Sequence, residues 1–199
     1  MNKKIDIRFI ILIAILAVVG VWRVVSASIE MTAWTNFSPV GAMALFAGYY
    51  FMNRSKAYIT PVLVLLISDI VLMNTLFADF RSGLLYEGWY WTYGSFLLMV
   101  LIGELFKTQK PLFPVLLGSL IAGSVHFLIS NFGVWIGGGL DITGMPYTRD
   151  FSGLMKCYTQ ALPFFRNLLY GNLIFSGILF GAFELAQAKF PKLRPATNG

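Results

Sequence analysis

Six apolar runs, separated by short clusters of charge, make up most of the sequence. They lie at residues 9–25, 38–52, 57–74, 92–106, 112–135 and 167–186. A helix rises 1.5 Å per residue, so about 20 such residues cross a hydrocarbon core about 30 Å thick. The pattern predicts six transmembrane helices in a single integral membrane domain over residues 1–199. The second run, SPVGAMALFAGYYFM, is short and rich in Gly and Ala, which suits the tightly packed interior of a bundle.

The fifth run carries polar residues at helical spacing. Ser119, Gly123, His126 and Ser130 recur at steps of three or four and so share one face, with Asn131 beside it. Trp135 closes the run where an aromatic meets the membrane surface. Leu116, Leu120, Val125 and Leu128 occupy the opposite, apolar face. A polar stripe avoids hydrocarbon and faces either neighbouring helices or a wet cavity. The third run contains Asp69, whose insertion at such depth costs roughly 2.5–3.5 kcal/mol unless it is paired, protonated or hydrated. Interhelical hydrogen bonding explains both features as packing, and a binding cavity explains them as a site.

Composition agrees with the pattern. Hydrophobic residues make up 57% and charged residues 12%, about half the usual charged fraction, and mean hydropathy is +0.72. The net charge of +6 flanks the apolar runs instead of forming a separate basic patch, so nucleic acid is not an expected partner. Cys157 is the only cysteine, which excludes an intrachain disulfide and a Cys-rich metal site. The chain has no HExxH, no GxSxG and no Walker lysine, and Gly137-Gly138-Gly139 lacks the context of a phosphate loop. No metal and no cofactor is expected, and Gly137-Gly138-Gly139 reads as a hinge. Val25-Ser26-Ala27 resembles a signal-peptidase site, but Arg23 and the length of the run favour a retained first helix.

With a cytoplasmic N-terminus, ten Lys and Arg residues fall on the inner side and five, among them Arg23 and Arg166, on the outer side. The positive-inside rule then predicts both termini in the cytoplasm, a long outer loop between the fifth and sixth helices, and Cys157 outside. Asp69 lies roughly 18 Å along the third run and His126 roughly 21 Å along the fifth. Asn74, Asn131, Arg166 and Asn172 share the outer half. The expectation is an outward-facing pocket for a small polar or aromatic molecule, lined by Asp69, Asn74, His126, Ser130, Asn131, Trp135, Arg166 and Asn172. Residues 137–165 would cap it as a lid or surface helix, with Phe151, Tyr158 and Phe165 turned inward.

Four segments carry a resemblance: NFSPVGAMALFAG (residues 36–48), LISDI (66–70), HFLISNFGVW (126–135) and YTQALPFFRNLLYGN (158–172). They resemble an uncharacterised bacterial family described as transport proteins. Its six-helix layout is similar to the S components, the substrate-binding subunits of energy-coupling factor vitamin transporters. The resemblance implies a multi-pass protein of the bacterial cytoplasmic membrane, with substrate held near the outer face under the first, third and fifth loops. It also implies a transmembrane coupling subunit that docks on the first helix, where Ala14 and Ala17 only sparsely match the small-residue pattern, and ATPases on other chains. The alternatives are a membrane enzyme using Asp69 and His126 as an acid-base couple, and an assembly protein with interhelical polar glue.

Overall fold

The computed structural model describes residues 6–29 and 37–195. Its six helices are α1 (Ile7–Ser28), α2 (Val40–Tyr50), α3 (Arg54–Met73), α4 (Trp89–Leu105), α5 (Ser119–Ile136) and α6 (Phe151–Lys189). A π-helical turn, Pro114–Gly118, leads into α5. Side chains cap three of the helices: Asp6 accepts from Phe9 N at 3.2 Å, Asn53 from Lys56 N at 3.0 Å and Asp150 from Gly153 N at 2.7 Å. Four helices, α1, α3, α6 and α5 with its π turn, are long and apolar enough to cross a membrane. The protein is a multi-pass membrane protein.

The bundle is built around α2. Residues 41–48 are all buried, although α2 has only 11 residues. Small side chains allow this, because α2 and α4 meet backbone to backbone. A Cβ on Gly48 would overlap the Val100 carbonyl, and one on Gly103 would overlap the Leu45 carbonyl. Below this contact, Phe46, Tyr50, Phe180 and Phe183 form an aromatic cluster with centroids 4.6–5.6 Å apart.

Arg8 seals that end of the bundle. Its guanidinium donates to Gln187 Oε1 at 2.9 Å, to the Leu193 carbonyl and to the Tyr50 carbonyl at 3.0 Å, and it lies over the Phe183 ring. Tyr50 OH donates to Glu184 Oε1 at 2.6 Å. The start of α1, the end of α2 and the end of α6 are thereby joined through buried hydrogen bonds, with Arg8 Nε left without a partner among the described residues.

Three features depart from the sequence expectation. Residues 81–86 form a small hairpin, β1 (Arg81–Ser82) with β2 (Leu85–Tyr86), turned by Gly83 at φ 76°. The lid is not a separate helix, since α6 runs unbroken from Phe151 through Pro163 to Lys189. Its 39 residues span about 58 Å, nearly twice the hydrocarbon core, and its first half runs alongside α5, with Cys157, Tyr158 and Phe165 against Asn131, Leu128 and Phe127. The connector therefore shrinks to residues 137–150, and Phe151, 75% exposed, points away from the bundle. At Gly177 and Gly181, a GxxxG pair in the sequence, an added Cβ would meet no other part of the described residues.

Candidate functional site

A cavity of about 370 Å³ lies where late turns of α1, α3 and α5 meet early turns of α2 and α4 and the middle of α6. Phe96, Phe127, Phe164 and Phe165 supply aromatic wall, and Arg23, Thr92, His126, Ser130 and Asn131 supply polar wall. The start of α2, at Ser38, Val40 and Gly41, adds a third side. Short α2 makes this room possible, because among the described residues no helix continues along the bundle axis beyond Val40.

The α5 stripe accounts for three of the predicted residues. His126, Ser130 and Asn131 are neighbours on one face, and all three border the cavity. Each is held by local bonds. Ser95 Oγ lies 2.6 Å from His126 Nδ1 and also donates to the Thr92 carbonyl at 2.8 Å. Ser130 Oγ donates to the His126 carbonyl at 2.7 Å, and Asn131 Nδ2 to the Phe127 carbonyl at 2.8 Å. Phe127 packs against Phe165 with centroids 4.4 Å apart, which brings α6 onto this face.

Asp69 stands behind the wall instead of in it. It is 1% exposed, with Oδ1 2.5 Å from Arg23 Nη2 and Oδ2 accepting from Tyr93 OH at 2.8 Å. Arg23 Nη1 also donates to Ser68 Oγ at 2.7 Å, and Ser68 passes its own proton to the Leu65 carbonyl at 2.8 Å. Both carboxylate oxygens and both Nη atoms of the pair thus have partners, which a buried ion pair requires to offset its desolvation. Arg23 is the member that reaches the cavity. In the sequence Arg23 counts only as one of the five outer-side charges. Depth was the available signal, since Arg23 lies about 24 Å along α1 and Asp69 about 22 Å along α3.

The other four predicted residues sit elsewhere. Asn74 is exposed at the end of α3, donating to the Ile70 carbonyl and accepting from Arg81, both at 2.7 Å. Trp135 donates from Nε1 to the Thr148 carbonyl at 2.8 Å and so pins the 137–150 loop. Arg166 is exposed and not part of the wall. Asn172 is fully buried behind Gly41 and Gly123, in the Ser119 and Ser176 cluster. A Cβ on Gly41 would overlap Asn172 Oδ1, an atom without a hydrogen-bond partner. Side-chain direction separates these residues from the wall, and sequence depth does not report it.

The 137–150 loop folds over the same end of the bundle. Asp141 Oδ1 accepts from Thr143 N at 2.8 Å, Thr143 Oγ1 at 2.6 Å and Met145 N at 3.0 Å, while Oδ2 pairs with Lys156 of α6. Lys156, followed by Thr143, holds the Asp141 carboxyl well below the usual carboxylate range. Tyr147 OH donates to Gln160 at 2.7 Å, and burial pushes this phenol above its ordinary value. Cys157 is buried against the Asn131 carbonyl at 3.5 Å. Among the described residues no three of His, Cys, Asp and Glu converge on a point where a metal ion would sit.

Residues 3–193 match a family model described as a family of unknown function, DUF6580. The chain belongs to the DUF6580 family. No curated protein and no solved structure matches it. The DUF6580 match takes in all six helices, so the cavity and the Arg23–Asp69 pair lie within the family-defining region.

Proposed function

We propose that the cavity binds a small polar or aromatic molecule that carries no net charge, and that the protein is the substrate-binding subunit of a membrane transport system. The observation that carries this reading is the wall itself: phenyl faces and hydrogen-bonding groups surround about 370 Å³, and the charge of Arg23 is already met by Asp69. Ligand sites have this character, mostly apolar with a few placed polar groups. Polar residues that served only as interhelical glue would consume one another, whereas His126, Ser130 and Asn131 border open space. The enzyme alternative has less support, because Asp69 is taken by Arg23 and Tyr93, and His126 Nδ1 by Ser95.

In this reading both termini are cytoplasmic, the cavity opens outward from a bacterial cytoplasmic membrane, and residues 137–150 cover its mouth. Support comes from the ten-to-five split of basic residues. Any ATP-driven cycle draws its ATPases, and the subunit that couples them, from other chains, since this one has no Walker motif. Cys157 is too buried to report orientation, so Ile142, 84% exposed in the loop, is the better site. An Ile142→Cys, Cys157→Ser protein should react with an impermeant thiol reagent in intact cells. Reaction only after lysis would invert the orientation.

Mass spectrometry of small molecules released from protein extracted in mild detergent tests the binding reading. Wild-type protein should release a bound molecule that folded Phe127→Ala, Asn131→Leu protein does not retain, and cells should take that molecule up. Protein that emerges empty, and whose melting temperature no metabolite raises, would leave packing as the role of these residues.

A further inference from the structure

We infer that the α5 wall presents hydrogen-bond acceptors to the cavity, so that its occupant is a planar aromatic heterocycle whose N–H or O–H edge meets His126 Nε2. The inference rests on the reading of the cavity as a binding site and narrows what enters it.

Proton counting leads there. Ser95 is fully buried and its hydroxyl has a single proton. Two groups lie within reach of Oγ, the Thr92 carbonyl at 2.8 Å and His126 Nδ1 at 2.6 Å. A carbonyl oxygen can only accept, so the proton goes to Thr92 and Ser95 Oγ accepts from Nδ1–H. This arrangement gives Oγ one bond as donor and one as acceptor. A neutral imidazole has one N–H and one lone pair. With the hydrogen on Nδ1, Nε2 carries the lone pair. Among the described residues Nε2 has no partner, and it is not among their buried atoms left without one, so it is the ring atom open to the cavity.

The neighbours repeat the pattern. Ser130 has spent its proton on the His126 carbonyl, so its hydroxyl oxygen has lone pairs left to offer. Asn131 uses one Nδ2 hydrogen on the Phe127 carbonyl and keeps Oδ1 as an acceptor beside its second N–H. His126 and Ser130 stand one turn apart, about 6 Å along the axis. An occupant with donors on the edge that faces His126 and Ser130 satisfies these two residues, and one with only acceptors there sets lone pair against lone pair. Phe127 and Phe165 supply aromatic surface beside that edge.

His126 is the only histidine in the chain, so ¹⁵N-histidine labelling of the full-length protein gives one ring to assign. Nε2 should appear as an unprotonated nitrogen and Nδ1 as a protonated one. In Ser95→Ala, where Nδ1–H loses its acceptor, the ring should shift toward the other tautomer. Benzimidazole, which has a ring N–H, should move the Nε2 resonance, and 1-methylbenzimidazole, which lacks it, should bind at least about tenfold more weakly. A proton on Nε2 in the wild type, an unchanged tautomer in Ser95→Ala, or equal affinity for the two probes would overturn the inference. Failure of both probes to bind would overturn it too. Release of some other molecule from the extracted protein would then still support a binding cavity, so the two failures are distinguishable.

Discussion

Two arginines of α1, 15 residues apart in the numbering, anchor opposite ends of the bundle. Arg8 gathers Gln187, Tyr50 and Leu193 and lies on Phe183, beside a pocket of only about 80 Å³. Arg23 gathers Ser68 and Asp69, with Tyr93 behind them, yet part of its surface faces open space. The chemistry is alike at the two ends, but the packing differs. At the Arg8 end, α2 and its aromatic residues fill the axis. At the Arg23 end α2 has not yet begun, and the vacated volume becomes a cavity. A buried polar cluster therefore says little about function until the space beside it is known.

The largest expected effect comes from breaking the Arg23 end. Asp69→Ala leaves an uncompensated guanidinium and should destabilise the protein by roughly 3–5 kcal/mol in reversible unfolding. Arg23→Met combined with Asp69→Leu should recover most of that loss, because the uncompensated charge has gone. If the double variant is as unstable as the single one, the pair contributes more than charge compensation.

Arg8→Met should cost less, about 2–3 kcal/mol, by orphaning the acceptors that Arg8 serves. Its distinguishing readout is binding. The fraction of protein that stays folded should retain ligand normally, since Arg8 lies at the closed end. Selective loss of ligand from folded Arg8→Met protein would erase the contrast between the two ends.

Ser130→Ala should be nearly silent in stability, within about 0.5 kcal/mol, because it loses only a back-bond within its own helix. Ligand retention should nonetheless fall. Unchanged retention would remove Ser130 from the site and leave His126 and Asn131 to define it.

The smallest effect is the pH response of the 137–150 loop. Asp141 has its carboxyl depressed by Lys156 and Thr143, so its stabilising contribution is complete above the ordinary carboxylate value. That contribution disappears as pH falls through the depressed value. Hydrogen exchange of residues 137–150 should therefore stay slow through mild acid and quicken only in strong acid. Lys156→Met should move the onset to higher pH. An onset that stays in place would assign the depression to Thr143 and the backbone donors.

Much of this was legible in one dimension. The membrane class followed from the apolar runs, since a chain in lipid must satisfy its own backbone bonds and helices do so locally. His126, Ser130 and Asn131 could be placed on one face because helical periodicity is a local property. The start of α6 was not legible. Residues 137–165 read as a lid or surface helix apart from the sixth span, yet α6 continues from Phe151 through Pro163, with Lys156 and Gln160 bonded to the 137–150 loop. The partners of Asp69 were not legible either: Arg23 and Tyr93 are 46 and 24 residues away, and their meeting depends on how three helices rotate about their axes. Rotation also separated Asn74, Arg166 and Asn172 from the cavity they share a depth with. What the sequence determined alone was the membrane class and the face of each helix, because these depend on spacing along the chain. The tertiary structure decided which faces meet and where space is left between them, because packing responds to the whole bundle at once.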